Sequence, residues 1–393
     1  MGLRPLLATI VAITGLVVLA SPAHAALLNT VPPTVSGTAE YAATLTADPG
    51  TWTPSATSYA YHWLRDGEPI AKATDATYSP GLDDLGHRLS VEVSASDGSD
   101  SGTATSAETE KVARATLRAK GGQKIVGEAR YTHVLDARSG SWSAKPTRIG
   151  YQWLRFGKPI DGATDRRHPI APEDVGTRLR VEITVKAPGY ESLTVRTDAT
   201  QKVRHRVDVR RVVRYHVETR GSITASLKVF VAQAQATFDD PRGWRGAGIE
   251  FRRVPRGGSM TLVLSEASHV PGFSSSCSST WSCRVGRYVI INQTRWLHAS
   301  PAWNAAHGTL RNYRHMVVNH ESGHFLGLDH ASCPGPGRPA PVMMQQSKGL
   351  GGCHFNPWPT AREVASRTPG PGRAMAYGVA AGYPRPVDMT VVE

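Results

Sequence analysis

The segment Tyr61–Ile70, YHWLRDGEPI, returns as Tyr151–Ile160, YQWLRFGKPI, displaced by 151 − 61 = 90 residues. The same displacement carries Trp52 onto Trp142, Asp75 onto Asp165, Gly86 onto Gly176 and Leu89 onto Leu179, with no insertion between them. A repeat of that length is an ordinary domain, so the first half of the chain has to fold as one module built twice. Each copy reads as β. Leu179, Val181, Ile183 and Val185 alternate with Arg178, Arg180, Glu182 and Thr184, and Leu89, Val91 and Val93 follow the same rule in the first copy. A period of two buries one face of a strand.

Tyr61 and Trp63 share a strand face, and Asp66-Gly67 supplies the turn after it. A tryptophan on a central strand among several short strands predicts an all-β, immunoglobulin-like sandwich, one over 26–114 and another over 115–203. The tryptophans are assigned to the cores rather than to a binding platform, because they sit in alternating strands. Neither copy holds a cysteine, so the inter-sheet disulfide of antibody domains is absent. The pair resembles the tandem Ig-like modules of secreted bacterial proteins, which implies spacers or adhesive arms without chemistry of their own.

At the start of the chain Arg4 precedes an apolar run from Leu6 to Ala20, followed by Ala23-His24-Ala25. A basic head, a short apolar stretch and an A-x-A site predict a secretory signal over 1–25, cut after Ala25. No later run is long and apolar enough to span a bilayer. The mature chain is therefore expected outside the cell, with no membrane span. All four cysteines, Cys277, Cys283, Cys333 and Cys353, fall in the last third. An even number in an exported chain favours two disulfides, with three possible pairings. Short loops cost the least entropy to close, which favours Cys277–Cys283 and Cys333–Cys353. No C-x-x-C spacing supports a cysteine-based zinc site.

The net charge of +13 is partly gathered in Lys202–His216, KVRHRVDVRRVVRYH. Such a stripe can hold anionic cell-wall or surface polymers, together with the Ig-like repeats. Neither a nucleic-acid motif nor interleaved aromatics accompany it, so no nucleic acid is expected as a partner. The stretch reads as a solvated linker leading into an edge strand.

From Arg204 the pattern changes, and 204–366 reads as a third domain. Val213–Thr219, Ile249–Val254, Met260–Ser265 and Arg287–Asn292 have strand character. Ile223, Leu227, Phe230, Val231, Ala234 and Phe238 recur at helical spacing, and Asp239–Trp244 breaks that helix. The order predicts an α+β domain. A second helix carries Tyr313, Val317, His320 and His324, stepping by 4, 3 and 4. On a helix, residues four apart lie one turn apart on one face, so His320 and His324 can present nitrogens to one cation. Glu321 is rotated away from that pair but flanks it, placed to take a proton from water held at the metal. Gly327 suits a C-terminal turn, and the chain then swings His330 round as a third ligand. Asp329 is either an acceptor that orients His330 or a solvated loop carboxylate. Beyond Arg367 the chain, 367–393, is rich in Gly and Pro and reads as a flexible tail.

His320, Glu321, His324, Gly327 and His330, HExxHxxGxxH, resemble the signature of the metzincin clan of zinc-dependent peptidases. The segments DPRGW, SCRVGRYVIIN, YRHMVVNHE, APVM and NPWP together resemble, more narrowly, an actinobacterial family of secreted zincin-like domains, over roughly Arg204 to Pro359. The resemblance implies a zincin/metzincin-like fold, with a twisted sheet over the active-site helix and a cleft below an edge strand. It also implies that Met343, or alternatively Met344, in Ala340–Gln346 is the methionine of the Met-turn beneath the histidines. Many clan members have a tyrosine two residues further on, able to stabilise the oxyanion. Gln345 stands there instead, so zinc alone or another donor has to serve.

The expected activity is that of a secreted zinc metalloendopeptidase, with Zn2+ held by His320, His324 and His330 and with Glu321 activating the zinc-held water that cleaves a protein or peptide substrate. Two other readings stay open: a cell-surface or cell-wall binding protein whose metal is structural, and a zinc hydrolase directed at peptidoglycan peptides.

Overall fold

The alternating segments form facing sheets in both repeats, and the two copies use the same strand order. In the first, Glu68–Pro69, Ser58–Arg65, Leu89–Ser96 and Ser101–Thr105 make a four-stranded sheet, and Thr34–Ser36, Leu45–Asp48 and Thr77–Tyr78 a three-stranded one. In the second, Lys158–Pro159, Arg148–Arg155, Leu179–Lys186 and Leu193–Arg196 are ordered like the first four, beside Ala119–Val126, Val134–Trp142 and Arg167–Pro169. Both are β-sandwiches. The computed structural model describes residues 26–367 and the backbone of 389–391. The expected signal, 1–25, and most of the expected tail lie outside the described residues. The chain divides into two compact units: the first takes in the first repeat with 115–121, 141–149 and 184–194, the second the rest of the second repeat and all that follows.

Trp63 and Trp153 are fully buried core residues, as their strand positions predict. Each indole N–H donates to a backbone carbonyl twelve residues on, Asp75 at 2.9 Å and Asp165 at 2.8 Å. Beside them lies a buried carboxylate. Asp84 accepts from Arg65 at 2.7 Å, from the Tyr78 hydroxyl at 2.8 Å and from the Gly81 N–H at 2.6 Å. Asp174 repeats the arrangement with Arg155 at 2.8 Å, His168 at 2.9 Å and the Ala171 N–H at 2.8 Å. Burial opposes ionisation of Asp174, but the hydrogen bonds from His168, Ala171 and Arg155 outweigh it and hold its carboxyl below the usual carboxylate range. Asp174→Asn keeps one acceptor oxygen and puts an NH2 group where the other stood, so either Arg155, or His168 with the Ala171 N–H, loses its acceptor. It is expected to cost roughly 2 kcal/mol, read as a lower denaturation midpoint.

After the second repeat the chain builds a mixed sheet in the order Ile249–Arg253, Arg211–Arg220, Met260–Ser265, Tyr288–Asn292, Cys283–Val285. The first four strands run parallel, and Cys283–Val285 closes the edge antiparallel to Tyr288–Asn292. Strands buried on both faces read as apolar runs, and every residue of Met260–Ser265 is buried. Leu262, Leu264, Val289 and Ile291 face the helices, packed with Phe230, Phe238, Val317 and Val318. Val263 and Ile290 face the other way, against Val270 and Cys277. The two longest helices are Leu227–Asp239, capped by the Ser226 hydroxyl, and Leu310–Phe325, capped by that of Thr309.

The basic segment differs from its expected form. Arg211–Arg220 is flanked by a strand on each side, so it is central, not an edge. Two of its polar residues, His216 and Glu218, are buried and bonded to each other at 2.7 Å. The residues before it are not free in solvent either, since Arg130 donates to the carbonyls of His205 and Arg206, and Arg245 to that of Val207. In the region read as a tail, Arg367 ends the helix Ala361–Arg367, and Met389–Val391 pairs antiparallel with Glu218–Arg220.

Candidate metal centre

Helical periodicity buries Tyr313, Met316, Val317 and His320 along one face of Leu310–Phe325, and His324 follows one turn later, half-buried. The helix stops at Phe325. Gly327, at φ +87°, adopts the left-handed turn that only glycine enters without cost and reverses the chain. His330 thereby returns to the helix. Its Nε2 lies 3.2 Å from that of His324, which is itself 3.2 Å from Nε2 of His320. All three candidate ligand atoms lie within 4.8 Å of one another.

The protonation pattern tests whether this is a metal site or a hydrogen-bonded cluster. Nδ1 of His320 lies 2.8 Å from the carbonyl of Val342, and Nδ1 of His324 lies 2.8 Å from that of Leu328. A carbonyl only accepts, so both Nδ1 atoms carry the proton and both Nε2 atoms, in the neutral rings, carry lone pairs. Two lone pairs facing across 3.2 Å repel unless a cation lies between them. Nitrogens about 2.0–2.1 Å from a tetrahedral zinc sit about 3.3 Å apart, close to the spacing here. The rings are also held neutral. Burial lowers His320 to about 3, and burial likewise lowers His324 and His330. The residues present fit a divalent metal.

Glu321 is buried between the histidine turns, and loss of solvent pushes its carboxyl up to about 8. It faces a cleft of ≈ 680 Å³ whose floor is Tyr313, Val317, His320 and His324. One wall is the serine-rich loop that ends in Cys283–Val285, and Gln345 to Lys348 also line the space. Asp329 lines it too, exposed, but makes no hydrogen bond to His330 among the described residues, so orientation of that imidazole by Asp329 is not seen. Gln345 is exposed in the cleft.

Met343 is buried against the motif helix, while Met344 is half-buried. A Cβ on Gly323 would stand 2.2 Å from Met343 Sδ and 2.9 Å from the Trp244 ring, so the helix approaches that sulfur only because residue 323 has no side chain. Gly323→Ala must displace both Met343 and Trp244, or the helix itself. It is expected to destabilise the domain by roughly 1–3 kcal/mol and to lower metal affinity, read by denaturation and by zinc titration. The turn holding Met343 is fixed by Glu363, whose carboxylate accepts from the N–H groups of Val342 at 3.1 Å and Met343 at 2.8 Å. The Val342 carbonyl in turn orients His320, so Glu363 acts on that imidazole through one peptide unit. Sequence reasoning did not find Glu363, Gly323 or Trp244. Gly323 alone left a signal, as a glycine in the middle of a helix.

Cys277–Cys283 and Cys333–Cys353 are bonded, the pairs that loop entropy favours. The first ties the serine-rich wall. The second encloses the Met343 turn in a loop that begins three residues after His330.

Residues 189–356 match a family model described as a protein of unknown function (DUF3152). A search of curated proteins returned no match. Among solved structures, the chain is similar to the three N-terminal domains of the outer capsid protein Hoc of bacteriophage RB49, at 14% identity and TM-score 0.23, covering 48% of this chain and 66% of that one, just under two thirds. It is similar to a two-domain fibronectin type III segment of chicken tenascin at 13% identity and TM-score 0.24, covering 42% of this chain and 99% of that one. Titin domains Z1Z2, solved with telethonin, match at 13% identity and TM-score 0.21, covering 44% and 94%.

Proposed function

We propose that this chain is a secreted zinc-dependent endopeptidase of metzincin-like fold. The observation that carries the reading is the convergence of three neutral imidazoles, two with their Nδ1 protons committed to carbonyls, at a cleft that also holds a buried carboxyl. When bound, zinc supplies an open coordination position and lowers the pKa of water there. Glu321 flanks the ligands without competing with them; it accepts the proton of the attacking water and returns it to the leaving amine. Cys283 and Arg284 of the edge strand Cys283–Val285 line the cleft, and a sheet edge there suits an extended peptide laid alongside.

A structural zinc takes a fourth protein ligand. Among the described residues the cluster of potential ligands comprises three histidines alone, which supports an open site over a purely structural one. Two disulfides suit an oxidising compartment, and no helix of the described residues is long and apolar enough to cross a membrane. The test is direct. Chelator-stripped protein is expected to cleave peptide bonds in a mixed peptide library only after zinc is restored. A chain with one zinc bound that leaves every peptide and a purified cell-wall preparation intact contradicts the reading and favours a binding role.

A further inference from the structure

The cleft carries more positive charge than its proposed chemistry uses. Arg284, on the edge strand, and Lys348, beyond the Met343 turn, both line it and are exposed. Neither has a hydrogen bond from its side chain or an ion pair among the described residues, although Asp329 lines the same space. Cations beside a site for a divalent metal oppose the metal's own charge, so on stability grounds alone they are misplaced. They make sense if an anion arrives between them.

The neutral groups of the wall point the same way. Ser282 Oγ accepts the Asn292 N–H at 3.1 Å, and Ser278 Oγ accepts the Thr280 N–H at 3.2 Å. Each hydroxyl keeps its proton to donate, alongside a second lone pair. The space offers donors and cations, and its exposed acid is Asp329 alone.

We infer that the cleft takes peptides bearing a carboxylate close to the segment presented at the three histidines, with Arg284 and Lys348 as the specificity-determining residues. The inference rests on the peptidase reading for the substrate's being a peptide, and it adds the acidic class.

The experiment separates the two claims by measuring binding apart from turnover. Zinc-loaded and metal-free forms of the full mature chain carrying Glu321→Gln are titrated into fluorescein-labelled Gly/Ala peptides that differ only in two central Glu, Gln or Lys residues, with anisotropy as the readout. The Glu peptide is expected to bind about tenfold more tightly than the Gln peptide at low salt, with the Lys peptide weakest. Adding Arg284→Glu or Lys348→Glu is expected to reduce that preference to about twofold or less. Lys228→Glu makes the same charge change on an exposed residue of Leu227–Asp239, outside the cleft, and leaves the preference intact. Equal affinity for the Glu and Gln peptides overturns the inference, and so does an equal loss in the Lys228 variant, which would make the preference a property of net charge. Acid-selective binding without cleavage by the wild type would sink the peptidase reading and leave the acidic ligand standing; cleavage without acid preference does the reverse.

Discussion

Glu321→Gln is expected to bind zinc as the wild type does while peptide hydrolysis falls by roughly a thousandfold. The substitution keeps shape and hydrogen-bonding capacity but removes the group that takes and returns the proton, and Glu321 is not among the clustered ligands. The same variant has a signature in the metal-free protein. Burial raises the Glu321 carboxyl from 4.5 to about 8, so the folded chain holds that proton more tightly than the unfolded chain. Its contribution to stability is complete below about pH 4.5 and is lost as pH rises through about 8. Metal-free Glu321→Gln is therefore expected to melt above the metal-free wild type at pH 9, with the gap closing towards pH 5. A nearby dication pulls the carboxyl down and removes most of that difference. Thermal melts at both pH values, with and without zinc, give the comparison. A pH-independent gap would place the carboxyl in a wetter environment than the structure gives it.

His324→Ala is expected to abolish the stabilisation that zinc confers. At a zinc concentration about a hundred times Kd, the wild type gains about 2.7 kcal/mol, several degrees in Tm. His324 is the middle histidine of the cluster, 3.2 Å from each of the other two, so its loss leaves a pair that no longer shares a neighbour. Without metal the variant is expected to melt within a few degrees of the metal-free wild type. It loses the bond to the Leu328 carbonyl but also the lone-pair repulsion from His320. A Tm rise with zinc equal to the wild type's would show that the metal binds elsewhere.

Local patterns carried much of the architecture. Strand alternation located Leu89–Ser96 and Leu179–Lys186, and the helical period of the second helix placed His320 and His324 on its buried side. Gly327 announced its turn because positive φ admits few other residues. Cysteine spacing carried the disulfides because short loops close at least cost. What escaped was settled by distant partners. Arg211–Arg220 has the composition of an edge strand, yet it lies inside the sheet with His216 and Glu218 buried and bonded to each other. Glu363 lies 43 residues after His320, with nothing in its own segment to say that it would fix the peptide that orients a ligand. Arg284 and Lys348 meet at the cleft through sheet and turn, not through spacing. The Asp84 and Asp174 networks did leave a trace, since the displacement that aligns the tryptophans also aligns Arg65 with Arg155 and Asp84 with Asp174.

X-ray absorption at the zinc edge, on the wild type loaded with one zinc per chain, reads the ligand set itself. The three-histidine site is expected to show three imidazole nitrogens at about 2.0–2.1 Å with a light oxygen donor in the remaining position, and one imidazole fewer in His330→Ala. A spectrum with sulfur ligands, with only two imidazoles, or unchanged by His330→Ala would contradict it.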